Sequence, residues 1–196
     1  TLHLGHIVDG DQLLLVIAKA LKEKNQLKGG VVGTLMTNMA IEKAFQDLGI
    51  EFIRTHVGDR YVLEALLEKG WSIGGENSGH ILTLDQHSTG DAIIASLQVL
   101  KALRLLNQSL HDATKDSPLY PQVLINVETH KKIDLEKNKS IQDAVRSVEE
   151  KLKNKGRVLL RPSGTEPKIR VMVEGQDLEE VKSYANLIAE KVKEAA

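Results

Sequence analysis

Cysteine is absent from the 196 residues. That single absence excludes disulfides, thiolate metal sites and cysteine nucleophiles, and it fits a reducing cytoplasm. No apolar run approaches the ~20 residues that a membrane helix needs. Residues 1–6 show neither a charged nor an apolar leader region, so no signal peptide is expected. An excess of one charge is missing as well. Lys+Arg 26 against Asp+Glu 27 leaves a formal net charge of -1, which gives no electrostatic reason to expect nucleic acid or an anionic membrane as partner. Any phosphate chemistry must therefore rest on a few placed cations, not on a basic face.

What remains is the composition of a globular protein. Apolar residues make up 41% of the chain, too many for a disordered segment, and the length suits one large domain or two modest ones. Leu13, Ile17 and Leu21 recur at helical spacing behind a cap at Asp9 or Asp11. A short strand over 31–36, a helix with Ile41, Ala44, Phe45 and Leu48 on one side, and a strand over 51–57 follow. A third helix carries Val62, Leu63, Leu66 and Leu67 and stops at Gly70. Residues 71–84 form two apolar arms around a polar, glycine-containing segment, as in an extended excursion or hairpin. Residues 91–106 are apolar on nearly every side, the pattern of a well-buried helix.

The pattern breaks over 107–121, where polar residues, Pro118 and Pro121 mark a boundary. Beyond it, a strand over 123–129 precedes a helical stripe of Ile141, Val145, Val148 and Leu152 opened by Ser140. Strands over 157–160 and 169–173 and a last helix lined by Leu178, Val181, Ala185, Ile188 and Val192 complete the chain. The expected fold is α/β: a three-layer α/β mixed-sheet domain over 1–112, a linker over 113–121, and a smaller α+β domain over 122–196 whose sheet carries two helices on one face.

Two segments carry chemistry. Arg161-Pro162-Ser163-Gly164-Thr165-Glu166-Pro167-Lys168-Ile169-Arg170 lies between two strands and reads as a tight loop. Gly164 lets backbone approach a ligand, Ser163 and Thr165 offer hydroxyls, and Arg161 and Arg170 bracket the loop with guanidinium forks suited to phosphate oxygens. Pro162 and Pro167 restrict its freedom. The alternative is a surface turn with unrelated charges. The second segment, Gly74-Gly75-Glu76-Asn77-Ser78-Gly79-His80, presents a carboxylate, an amide, a hydroxyl and an imidazole, the groups that bind sugar hydroxyls. In an extended chain Glu76 and Ser78 would point to one side. The alternative is a polar hairpin tip with a structural His80.

In this order and separation, the two segments resemble the sugar-binding loop (Gly-Glu-x-Ser-Gly-His) and the phosphate-binding loop (Arg-Pro-Ser-Gly-Thr-Glu-Pro) of the α-phosphohexomutase superfamily. Gly33-Thr34-Leu35-Met36-Thr37-Asn38 and Val57-Gly58-Asp59-Arg60-Tyr61-Val62 resemble its phosphoglucosamine mutase branch, and the likeness runs from about Gly5 to the end. It implies that residues 1–112 are the third domain, with the tail of the second at their start, and that 122–196 are the fourth. Glu76, Ser78 and His80 would meet sugar hydroxyls. Arg161, Ser163, Gly164, Thr165 and Arg170 would hold the phosphate that is not reacting. Asp59 and Arg60 would sit in the third-domain specificity loop, the alternative for Asp59 being a helix start.

The family's reaction also uses a phosphoserine in the first domain and magnesium on an aspartate-rich loop in the second. Neither motif is found here. Asp9-Gly10-Asp11 lacks the third aspartate and the arginine of that loop and reads as a capping segment, so magnesium is expected in the intact enzyme and not on this chain. The resemblance thus implies a fragment of a cytoplasmic, magnesium-dependent isomerase of glucosamine phosphate, inactive without its N-terminal domains. The alternatives are another hexose-phosphate mutase, acting on mannose or glucose phosphates, and a non-catalytic phosphosugar-binding module.

Overall fold

The protein, described by a computed structural model over residues 5, 7–129, 133–163 and 166–196, divides into two compact units, Thr1–Leu119 and Tyr120–Ala196. In the first unit, the strands β1 (Val31–Thr34), β2 (Phe52–Thr55), β3 (Ile73–Gly75) and β4 (Ile81–Thr83) form one sheet in the order β2-β1-β3-β4. β1 runs parallel to β2 and β3, whereas β4 returns antiparallel to β3 with Ile73 opposite Thr83 and Gly75 opposite Ile81. The sheet is therefore mixed because one tight excursion, residues 76–80, replaces a crossover helix.

Helices α1 (Gly10–Glu23), α2 (Met39–Asp47) and α4 (Ala92–Leu106) share one core with the strands. There Leu14, Ile17, Ile41, Phe45 and Ile73 are at most 2% exposed. Each such side chain contributes about 1.5–3 kcal/mol through burial. Helix α3 (Asp59–Lys69) packs Val62 and Leu66 with Val32, Trp71 and Leu82 in a second core. Leu82 alternates with Ile81 along β4, so the two cores lie on opposite faces of the sheet and the unit has three layers. Cap residues set the helix starts: Asp9 accepts from the Gln12 amide, Asn38 from Ala40, and Asp91 from both Ile93 and Ile94. A short helix α5 (Leu110–Thr114), capped by Ser109, follows α4.

The second unit holds an antiparallel sheet of β5 (Gln122–Glu128), β6 (Gly156–Pro162) and β7 (Lys168–Gly175) in the order β5-β7-β6. Helices α6 (Lys139–Leu152) and α7 (Leu178–Ala195) pack over Ile169, Val171 and Val173 of the central strand. The alternate residues of β7, Arg170, Met172 and Glu174, turn to the other face. Pro162 ends the edge strand β6, where its missing N–H costs no ladder bond.

Three sequence expectations change. Residues 71–84 take the hairpin form of the two expected, but the same-side placement of Glu76 and Ser78 fails: the Gly79 amide donates to the Glu76 carbonyl at 3.0 Å, and Glu76 and Ser78 end up buried and exposed respectively. Helix α6 starts one residue earlier than Ser140, at Lys139, because the cap is Asn138, which accepts from the Ile141 amide. Helix α4 buries only Ala95, Val99 and Ala102, while Ile93, Leu97 and Leu100 are 73%, 58% and 62% exposed. Its apolar circumference exceeds what the first unit can cover.

Candidate functional site

The first cluster forms where α1, α3 and the β3–β4 turn meet. Gly58 precedes α3 with φ 129, a conformation open to glycine and strained for other residues. That backbone aims its amide at Glu76, whose Oε1 accepts at 2.9 Å. From the other side the Gly10 amide donates to the Asn77 carbonyl at 2.9 Å. A Cβ on Gly10 would lie 2.1 Å from the Glu76 carbonyl oxygen, so only glycine permits this approach. Gly10 and Gly58 are thus site-building residues that the motif reading passed over. The signal for both was weak: one glycine between two aspartates, one before a helix.

Around the buried Glu76 stand Asp59 and His80. His80 Nδ1 lies 3.5 Å from Asp59 Oδ1, 3.7 Å from Glu76 Oε2 and 3.4 Å from Ser78 Oγ. All three separations exceed a well-formed hydrogen bond, and the buried Asp59 Oδ1 has no hydrogen-bond partner among the described residues. Burial pushes the Glu76 carboxyl above the ordinary carboxylate range. The Gly58 amide opposes that rise, Asp59 adds to it, and His80 opposes it. The imidazole and Ser78 stay exposed, so the cluster presents acceptors backed by a polarised rim to whatever lies outside it. Arg60 points elsewhere: it is exposed and pairs with Glu64 at 2.7 Å, one turn along α3.

Two places invite a cation. One ligand atom each of Asp59, Glu76 and His80 lies within 4.8 Å of the others, although Oε1 of Glu76 is already engaged by Gly58. Asp9 and Asp11, the superficial metal loop of the sequence, do not suit magnesium, which demands near-octahedral oxygen ligation. Asp9 caps α1, and burial leads the rise of its carboxyl above the ordinary range, with the Gln12 and Asp11 amides opposing it. Asp11 is 1% exposed and accepts from the Asn38 amide at 2.7 Å. It braces the β1–α2 loop together with Arg54, which donates to the Thr34 and Thr37 carbonyls and to Glu42.

The second cluster lies at the end of the β6–β7 ladder. Arg161 and Arg170 are direct cross-strand partners, on the face away from the helices. The Ser163 amide donates to the Lys168 carbonyl at 2.8 Å and closes the base of the loop. Glu166 pairs with Lys168 at 2.9 Å and stands 3.9 Å from Arg170. Arg161 has no carboxylate partner among the described residues, and burial, followed by the like charge of Arg170, lowers its pKa. Ser163 Oγ and Arg170 Nε are buried without hydrogen-bond partners among those residues. Gly164 and Thr165, expected in the same loop, lie outside the described residues.

Residues 9–120 match the family model of phosphoglucomutase/phosphomannomutase alpha/beta/alpha domain III, and residues 124–191 match the C-terminal domain of the same enzymes. The chain belongs to the phosphoglucomutase/phosphomannomutase family. Among curated relatives it is similar to the phosphoglucosamine mutase of Methylobacillus flagellatus, 59% identical over 192 residues that make up 98% of this chain and 42% of the relative. The phosphoglucosamine mutase of Photorhabdus laumondii is 53% identical over 98% of this chain and 43% of its own length. The chain thus spans less than half the length of these relatives. Its fold is similar to that of Aspergillus fumigatus N-acetylphosphoglucosamine mutase in complex with GlcNAc-6P and magnesium (TM-score 0.82, 22% identity, 97% of this chain and 44% of that one). An N-acetylglucosamine-phosphate mutase of the α-D-phosphohexomutase superfamily, in its substrate complex, gives a TM-score of 0.80 at 24% identity, over 94% of this chain and 44% of that one. Among the described residues, no helix is long and apolar enough to cross a membrane.

Proposed function

We propose that this chain is the sugar- and phosphate-gripping part of a phosphoglucosamine mutase, which interconverts glucosamine 6-phosphate and glucosamine 1-phosphate. In that scheme an enzyme phosphoserine gives its phosphoryl group to the free hydroxyl of the substrate. The bisphosphorylated sugar turns around, and the other phosphate returns to the serine. The serine and the magnesium loop belong to the part of the longer protein that precedes domain III. Magnesium there would neutralise charge on the phosphoryl group in transit. A cytoplasmic location and a place in amino-sugar supply belong to the same reading.

The observation that carries the proposal is the unspent polarity at the β6–β7 loop. Two partly buried arginines side by side, with a guanidinium nitrogen and a hydroxyl that have no partner among the described residues, cost stability until an anion meets them. A phosphate supplies the charge and the acceptor oxygens for both forks. Arg161, Ser163 and Arg170, with Gly164 and Thr165 of the same loop, would hold it. The Glu76, Ser78 and His80 loop would take the sugar, and the Glu76 carboxylate with Asp59 of α3 beside it suits a sugar that carries an ammonium group.

An amide-shift titration of the chain with glucosamine 6-phosphate, and with glucosamine as control, tests this. Shifts over 161–170 that need the phosphate, with further shifts over 75–80 common to both ligands, are expected. No shift over 161–170 at millimolar ligand would remove this loop as the phosphate site. The family's breadth favours keeping a second reading, a mutase of mannose or glucose phosphates. Equal turnover of mannose 6-phosphate or glucose 6-phosphate by the longer protein would select it. A protein of this length that binds phosphosugar and serves without any longer form would instead be a binding module.

A further inference from the structure

Helix α4 reads Ala-Ile-Ile-Ala-Ser-Leu-Gln-Val-Leu-Lys-Ala-Leu-Arg-Leu-Leu, apolar around most of its circumference, and helices of that kind belong in an interior. The first unit covers one side of it only. Ile93, Leu97 and Leu100, spaced by four and three residues, form a continuous exposed line. Single exposed aliphatics are ordinary, but a contiguous row marks a surface meant to be covered. Beside it opens a cleft of about 430 Å³ whose walls include Leu13, Ile81, Val99, Leu100, Leu103 and Leu110. Lys101 and Arg104 flank the row, both exposed and with no ion pair among the described residues.

Resting on the reading of the chain as part of a longer mutase, we infer that this row and cleft form the docking face for the polypeptide that precedes domain III. Its counterpart would be an aliphatic surface rimmed by carboxylates that answer Lys101 and Arg104. Two further facts select this occupant. More than half the length of the curated relatives is not matched by this chain, and the matched parts are domain III and the C-terminal domain, so the unmatched length belongs to earlier domains. The backbone also enters the first unit at this spot. The α1 start at Gly10 is hydrogen-bonded to Asn77 and would have its Cβ 2.5 Å from the Gly79 amide, and Gly79 lines the cleft. Ile7, just ahead of α1, is itself 83% exposed. Leu13 of α1, Gly79 and Leu100 line the same cleft, so the start of α1 lies beside the row.

The lack of native cysteine makes the test direct. Leu97→Cys and, as a control on α7, Glu179→Cys are labelled with a maleimide in the 196-residue protein. The same two variants are labelled after this sequence is joined behind the preceding portion of the Methylobacillus flagellatus relative. Mass spectrometry reads each labelled peptide separately. Position 97 should label at least about tenfold more slowly in the joined protein, with position 179 unchanged. Equal rates at 97 overturn the inference. So does protection in the short chain that deepens with its concentration, since a second copy would then be the occupant. Hydroxyl-radical footprinting of the intact relative checks the same helix should the joined protein fold poorly, and an open α4 row there overturns the inference as well. Glucosamine phosphate turnover by the joined protein is scored apart. Turnover with an open position 97 breaks the interface alone, and protection without turnover breaks the mutase reading alone.

Discussion

The two candidate loops handle buried polarity in opposite ways. At the β3–β4 turn, the buried carboxylate of Glu76 is held by the Gly58 amide and balanced by His80, and the chain crosses itself tightly at Gly10 to make this happen. At the β6–β7 turn, two arginines face each other across the ladder, and a hydroxyl and a guanidinium nitrogen have no partner among the described residues. The first loop holds its buried carboxylate from within, although Asp59 Oδ1 beside it has no partner among the described residues; the second sets two cations against each other with no carboxylate on Arg161 among those residues. A group that pays no structural return in the free protein is the better pointer to a ligand, because native structures rarely leave such groups unpaired. It follows that mutations in the first loop should register mainly in stability and mutations in the second mainly in binding.

The largest effect is expected from Gly10→Ala. Its Cβ would fall 2.1 Å from the Glu76 carbonyl and 2.8 Å from the Gly79 Cα, both backbone atoms that cannot swing away. A loss of about 3 kcal/mol in urea-monitored stability is expected, in the range of overpacked cores. A loss below about 0.5 kcal/mol would mean that the turn over 76–79 is not held against α1 as described.

Next comes Arg161→Met. It removes one of two facing cations and keeps the aliphatic stem, so the melting temperature should hold or rise while glucosamine 6-phosphate binding weakens at least about tenfold, near 1.4 kcal/mol. Ser163→Ala sharpens the contrast at smaller scale. Deleting a buried hydroxyl that has no partner among the described residues should leave stability unchanged or raise it by about 1 kcal/mol, while phosphosugar affinity falls. Stability and affinity falling together in either variant, read by thermal melts beside calorimetric titration, would make the second loop as structural as the first.

Much of this contrast could be read from residue order, and some of it could not. Periodicity located the helices and strands because their apolar faces are amphipathic, and the loop between β6 and β7 stands out by its two prolines and flanking arginines. The direction of Glu76 did not follow from its neighbours. Alternation assumes an extended chain, whereas a turn closed by the Gly79 amide put Glu76 inside and Ser78 outside. Gly58 as the donor to Glu76, and Asp11 as the acceptor of Asn38, join residues 18 and 27 positions apart, beyond any local pattern. Helix α4 failed for a different reason. Its composition called for cover on every side, whereas the first unit covers one side only, and composition does not say which elements supply the cover.

The smallest effect tests the first loop through pH. Burial raises the Glu76 carboxyl above its unfolded value, with Asp59 reinforcing the shift against the Gly58 amide and His80. The folded protein then holds this proton more tightly than the unfolded chain. Glu76 therefore favours the folded state below its unfolded pKa, and that contribution is lost as pH rises through the folded, raised pKa. Glu76→Gln keeps an oxygen to accept from Gly58 and removes the titration. Urea denaturation across the acid range should show the wild type losing ground to Glu76→Gln as pH climbs out of the ordinary carboxylate range, with a constant gap once pH has passed the raised folded pKa. A gap that moves the other way would mean that His80 and the amide outweigh burial. Glu76 would then be stabilised as a carboxylate within its own loop, and the first cluster would be more fully satisfied than its geometry indicates.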